Sequence, residues 1–116
     1  MSEHSGNGEP FVALENTEAL DQLYKTSHER PVILFKHSLT CPISSAAYDQ
    51  MSKLNTDVAL VVVQKARNVS SEVATRTGIP HESPQAIVLR GGEAVWNASH
   101  WRITVDAVEK AVRENA

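Results

Sequence analysis

Reactive sulfur is the scarcest chemical resource in this chain, which holds one cysteine, Cys41, in 116 residues. A single thiol excludes an internal disulfide and every all-cysteine metal cage. The histidines, at positions 4, 28, 37, 81 and 100, include no helical i, i+4 pair, so no metal site is expected. Basic charge is not in excess either. Eleven Lys and Arg stand against fourteen Asp and Glu, a formal net charge of -3, and the two signs are interspersed. That leaves no basic stripe for nucleic acid and no polybasic patch for an anionic membrane. No apolar run approaches a membrane span, and the opening MSEHSGNGEP has neither the basic nor the apolar region of a signal peptide. A reducing cytoplasm is the expected compartment.

What the chain does have is enough apolar residue, 41%, for one compact core. Residues 1–10 read as a disordered tail, and 11–116 as a single domain. Its centre is the stretch FKHSLTCPISSAAYDQMSKL at 35–54, where an apolar strand runs into a helix with Cys41 at the junction. Pro42 suits the first helical position, because the N–H it lacks would be unpaired there anyway. Cys41 is therefore the expected N-cap. Ile43, Ala47, Met51 and Leu54 then recur at three- and four-residue spacing, one apolar stripe on a helix of about three turns.

A helix N-terminus favours the thiolate, the reactive form of cysteine, through unpaired N–H donors and the positive end of the dipole. Moving a thiol from a pKa of about 8.5 to about 6.5 takes about 2.7 kcal/mol, and the dipole typically supplies about 0.3 to 1. Direct hydrogen bonds or a nearby cation must supply the rest. The thiolate fraction at neutral pH would rise about 25-fold, while intrinsic nucleophilicity falls about 8-fold, a net gain of only about 3-fold in attack. The larger benefit is easy departure from a mixed disulfide, which suits a relay for thiols better than a trap.

Around this centre the remaining elements follow in order. A short strand is expected at 11–14 and a helix from about Thr17 with Leu20, Leu23 and Tyr24 on one face. PVILF at 31–35 and DVALVVVQ at 57–64 are continuous apolar runs suited to strands buried on both faces. With the helix between them they make a parallel βαβ unit, its crossover right-handed. A short helix over 69–77 ends at Gly78. Strands over 85–90 and 93–97 join at Gly91 and Gly92, which accept the positive φ of a tight hairpin. The last helix starts at Thr104, with Ile103 and Val108 placed as a hydrophobic staple. The order β α β α β α β β α predicts an α/β thioredoxin-like fold, a central mixed sheet of four to five strands with helices on both faces.

The residues also carry a family resemblance. Thr40 to Ser44 reads TCPIS, and the chain resembles the monothiol bacilliredoxins there and through FKHS (35–38), HESPQA (81–86) and GEAVWNASHW (92–101). The resemblance implies a thioredoxin-fold thiol–disulfide oxidoreductase that removes or transfers bacillithiol on client proteins during oxidative stress. Cys41 is the implied catalytic sulfur. Bacillithiol is the implied co-substrate, with no permanently bound cofactor, and a downstream disulfide reductase joins the client proteins as an expected partner. Dithiol thioredoxins carry a second cysteine where this chain has Ser44, so an external thiol must release Cys41.

Thr40, Pro42 and Ile43 flank the sulfur. The hydroxyl of Ser44, three residues past the cap, either faces Sγ of Cys41 or belongs to an ordinary first-turn serine. The resemblance further implies a cis Ser83–Pro84 bond facing Cys41. Lys36 and His37 point to opposite faces of their strand, and Lys36 is the preferred cation beside the sulfur, against a merely solvated lysine. The hairpin returns the chain to the cysteine's end of the sheet, which places His100 and Trp101 for contact with the sugar or malate of bacillithiol, against core packing of Trp96 and Trp101. Two other functions share the pattern. An iron–sulfur carrier would use Cys41 as a ligand in a dimer, although Pro42 stands where such carriers usually have glycine. A redox-inert interaction module would not need the sulfur.

Overall fold

The computed structural model describes residues 9–116. The tail expected at 1–10 lies outside the described residues up to position 8. Pro10, assigned to that tail by composition, is buried, and its carbonyl accepts the Val58 N–H at 2.9 Å.

Strand β2 (Val32–His37) is the middle of the molecule. The sheet runs β1-β3-β2-β4-β5, with β1 (Phe11–Ala13), β3 (Val58–Val62), β4 (Gln85–Arg90) and β5 (Glu93–Ser99) around it. β3 lies parallel to both β1 and β2, whereas β4 is antiparallel to β2 and to β5. Every β2 residue from Val32 to Lys36 is buried, which is why its sequence is a continuous apolar run and not an alternation.

Side-chain alternation along β2 divides the interior in two. Ile33 and Phe35 pack with Ala47 and Met51 of α2 (Pro42–Met51) and Val108 and Ala111 of α4 (Val105–Glu114). Val32 and Leu34 pack on the opposite face with Leu20 of α1 (Thr17–Thr26) and Val69 and Val73 of α3 (Arg67–Thr77). Helices therefore cover both faces, as the element order predicts. Local signals fix the ends. Asn16 caps α1 by accepting the Ala19 N–H at 2.8 Å, and Thr104 caps α4 through Ala107 N–H at 3.2 Å. Gly91 and Gly92 both have positive φ, +65° and +80°, the backbone a two-residue hairpin turn requires.

Two boundaries differ from the sequence reading. β5 continues to Ser99, past the expected 97, because Ala98 is buried and pairs with Ala86. On α2 the inward row is Ser44, Ala47 and Met51, with Ile43 only half-buried. An apolar pattern passes over a serine that is buried through its hydrogen bonds. Among the described residues no helix is long and apolar enough to cross a membrane.

Candidate active site

Cys41 is the N-cap residue of α2, in extended backbone (φ -109°, ψ 120°) with Pro42 in the first turn. Its thiol is free and partly exposed. The Ser45 N–H bonds the Cys41 carbonyl at 3.1 Å and opens the helical ladder. Pro42 has no N–H, so the donors left at the helix start are those of Ile43 and Ser44. No side-chain hydrogen bond from Cys41 closes them off. The positive end of the helix dipole and those two N–H groups therefore lie at the residue that carries the thiol.

The loop from His37 to Cys41 is clamped from two sides. Inside, Ser44 is fully buried, and its Oγ accepts the Ser38 N–H at 2.9 Å and sits 2.8 Å from His37 Nδ1. Of the two readings the sequence left open for Ser44, its hydroxyl facing Sγ or an ordinary first-turn serine, neither describes these bonds, which join the hydroxyl to the loop at His37 and Ser38. The reason is the inward turn of α2, which puts Ser44 over the end of β2. Outside, Gln64, just beyond β3, accepts the Leu39 N–H through Oε1 at 3.2 Å and donates from Nε2 to Ser38 Oγ at 2.9 Å and to Thr40 Oγ1 at 3.5 Å. Leu39, 56% exposed, and Thr40 are thereby held outward beside the sulfur.

The preference for Lys36 as the cation beside the sulfur is corrected by its position. Lys36 shares the α3 face of the sheet with Leu34, away from α2, and is fully buried. Its Nζ lies 3.2 Å from His81 Nδ1, and Ser70 Oγ of α3 is 3.3 Å from the same nitrogen. Burial lowers its pKa to about 8. Strand alternation sends Lys36 and His37 to opposite faces, and the face that α2 covers belongs to His37. The His37 ring stacks against Phe35 and tilts against Tyr48 of α2, at centroid distances of 5.8 and 4.9 Å. Burial pushes its pKa below the usual imidazole value, against the hydrogen bonding by Ser44 that raises it.

The cysteine's end of the sheet also collects the distant residues. Lys36 pairs with Gln85 and Gln85 with Ser99, so the next positions out, His37, Pro84 and His100, form a row across three strands. The Ser83–Pro84 peptide is cis, and the Pro84 carbonyl accepts the His100 N–H at 3.1 Å. The Ser83 hydroxyl is buried and has no partner among the described residues. His100 adopts left-handed backbone, φ +56°, which turns the chain out of β5 into a 3₁₀ turn, His100–Arg102, packed against α2. Trp101 on that turn is 69% exposed, while Trp96 packs on the core. The His100 ring faces Glu82, Nδ1 to Oε1 3.3 Å.

His37, Gln64 and His81 were not singled out by the sequence as parts of this site. His37 was legible only as the other side of the Lys36 alternation, and Gln64 and His81 join through the fold alone.

The family model described as "Monothiol bacilliredoxin BrxC" matches residues 12–108. A solved chain described as a proposed oxidoreductase with a thioredoxin fold is 37% identical, with a TM-score of 0.78 over 88% of this chain and 93% of that one. Thioredoxins from Nicotiana alata and Trypanosoma brucei brucei, each 12% identical, superpose with TM-scores of 0.72 and 0.73. Each covers 97% of this chain, with 98% and 96% of their own lengths matched. These two likenesses concern the fold.

Proposed function

The chain belongs to the monothiol bacilliredoxin family and is a thiol–disulfide oxidoreductase, and we propose that Cys41 is the sulfur through which it exchanges bacillithiol with protein cysteines. The Cys41 thiolate attacks the bacillithiol sulfur of a client mixed disulfide. That S–S bond breaks, the client thiolate leaves and takes a proton, and Cys41 carries bacillithiol in a new disulfide. A second thiol then attacks the bacillithiol sulfur and frees Cys41. Because Ser44 occupies the position of a second cysteine, the second thiol comes from outside, either bacillithiol itself or one supplied through a downstream disulfide reductase.

The observation that carries this reading is the placement of Cys41: a free, partly exposed sulfur at the cap of a ten-residue helix, within a matched family model. In our reading Thr40, Pro42, Ile43, Ser83 and Pro84 bound the approach to the sulfur. Trp101 offers a flat apolar face to the sugar of bacillithiol, and the His100 ring, beside Glu82, lies on the same turn to meet its carboxylates. The reaction belongs in a reducing cytoplasm, where a lone thiol stays free. The test is the release of bacillithiol from a modified client by the protein and by Cys41→Ala. Release by the wild type that is lost in the variant supports the proposal; equal release by both removes Cys41 from the reaction.

A further inference from the structure

We propose that Lys36 is a positioning residue for the exchange reaction, acting from the α3 face of the sheet by holding, through His81, the loop that ends at Ser83 and Pro84. The inference rests on the reading above, in which Ser83 and Pro84 bound the approach to Cys41. Lys36 of β2 and Gln85 of β4 are register partners, and residues directly opposed on paired strands share a face. Both side chains are buried, at 0% and 1% exposure. Lys36 Nζ lies 3.2 Å from His81 Nδ1, and Gln85 Nε2 donates to the Pro80 carbonyl at 3.2 Å. Two adjacent buried polar groups thus hold two consecutive residues of one loop.

Hydrogen bonds, more than packing, fix that loop. His81 is exposed and borders a cavity of about 370 Å³ lined also by Val63, Arg67 and Ser70, so packing leaves its ring room to move. Lys36 from β2 and Ser70 Oγ of α3, 3.3 Å away, converge on the same ring nitrogen. Burial first, and the Lys36 charge second, hold the imidazole below its usual pKa, which leaves Nδ1 an acceptor for an ammonium that keeps its proton up to about pH 8. At neutral pH the donor is charged and the acceptor neutral. Further along, Glu82 Oε1 faces His100 Nδ1 at 3.3 Å, and the Pro84 carbonyl accepts the His100 N–H at 3.1 Å. The loop is therefore pinned on one side by Lys36 and on the other by the turn that carries Trp101.

Stability does not account for this lysine. The partner of its ammonium is an imidazole and not a carboxylate, so that contact offsets desolvation by hydrogen bonding without an opposite charge. A methionine of similar length would fill the same space at no such cost. What methionine lacks is an N–H donor for His81. Lys36 thus lowers stability while it fixes the loop. A shift of about 1 Å in a reacting partner can slow a reaction on the order of 100-fold, so a tether on the far side of the sheet reaches the rate through geometry.

The test uses the full chain as wild type, Lys36→Met, His81→Ala and the double variant. Bacillithiol transfer from a modified client, alkylation of Cys41 by iodoacetamide and urea unfolding are measured for each. Both single variants should lower kcat/KM for the client about two- to tenfold, the effect of one hydrogen bond, with alkylation of Cys41 unchanged. Lys36→Met should do so while unfolding at higher urea. The double variant should lose no more than either single, because all three lack the same contact. Wild-type transfer by Lys36→Met overturns the inference, as does an additive loss in the double variant or a loss in Lys36→Met that accompanies lower stability. Relaxation of ¹⁵N reads the loop itself. The order parameters of Glu82 and Ser83 should fall in Lys36→Met from about 0.85 towards about 0.6. If the wild type transfers no bacillithiol, the proposed function fails and these order parameters decide the tether, a fall supporting it and equal values overturning it.

Discussion

The ammonium of Lys36 and the imidazole of His81 meet at 3.2 Å, Nζ to Nδ1, on the side of the sheet away from the helix that Cys41 caps. Lys36 is fully buried, and burial lowers its pKa from 10.5 to about 8. The folded state therefore binds fewer protons than the unfolded state between about pH 8 and 10.5, and stability rises with pH across that window. Below pH 8 the desolvation penalty is present in full, on the order of 3 kcal/mol. Lys36→Met should be more stable than wild type at pH 7 in urea unfolding and should lose the rise between pH 8 and 10. His81, held below its usual value by burial first and by the Lys36 charge second, should titrate higher in the same variant by NMR.

Gln64 carries the outer clamp on the cysteine's loop, through the Leu39 N–H and the Ser38 hydroxyl. A single hydrogen bond of this kind is worth about 0.5 to 1.5 kcal/mol. Gln64→Ala should raise the hydrogen-exchange rate of the Leu39 amide about two- to tenfold, leaving amides in β2 unchanged. An unaltered Leu39 rate would show that the loop is held without Gln64.

Trp101, 69% exposed on the turn packed against α2, has little to lose from the core on truncation. Trp101→Ala should therefore leave thermal unfolding within about 0.5 kcal/mol of wild type. It should raise the KM for a bacillithiolated substrate while alkylation of Cys41 by iodoacetamide is unchanged. A raised KM accompanied by slower alkylation would assign Trp101 to the conformation of the site and not to substrate contact.

Thr104 accepts the Ala107 N–H and starts α4, whose Val108 and Ala111 fill the core beneath α2. Thr104→Ala should cost about 1 kcal/mol of unfolding free energy, and Thr104→Ser should restore most of it.

The frame of the molecule was legible because its signals are local. Apolar runs announced β2 and β3, Pro42 announced the start of α2 with Cys41 at its cap, and the Gly91–Gly92 pair announced the hairpin. Long-range polar choices were not legible. Lys36 reads as a surface cation near a thiol, yet strand alternation carries it to the face that α2 does not cover, where His81 arrives from 45 residues away. Ser44 reads as a neighbour of Cys41, while the turn of the helix directs its oxygen to His37 and Ser38. Gln64 lies 25 residues from Leu39, and periodicity registers no such pair. The site's chemistry was anchored by one motif, and its supporting hydrogen bonds came from the packing.

The most direct measurement mixes the purified protein with a client carrying bacillithiol and follows both by mass spectrometry. The account predicts one bacillithiol gained by the peptide containing Cys41 as one is lost from the client, reversed on adding an external thiol. A client that stays modified while Cys41 remains bare, or one that is cleared with the adduct on another residue, would contradict it.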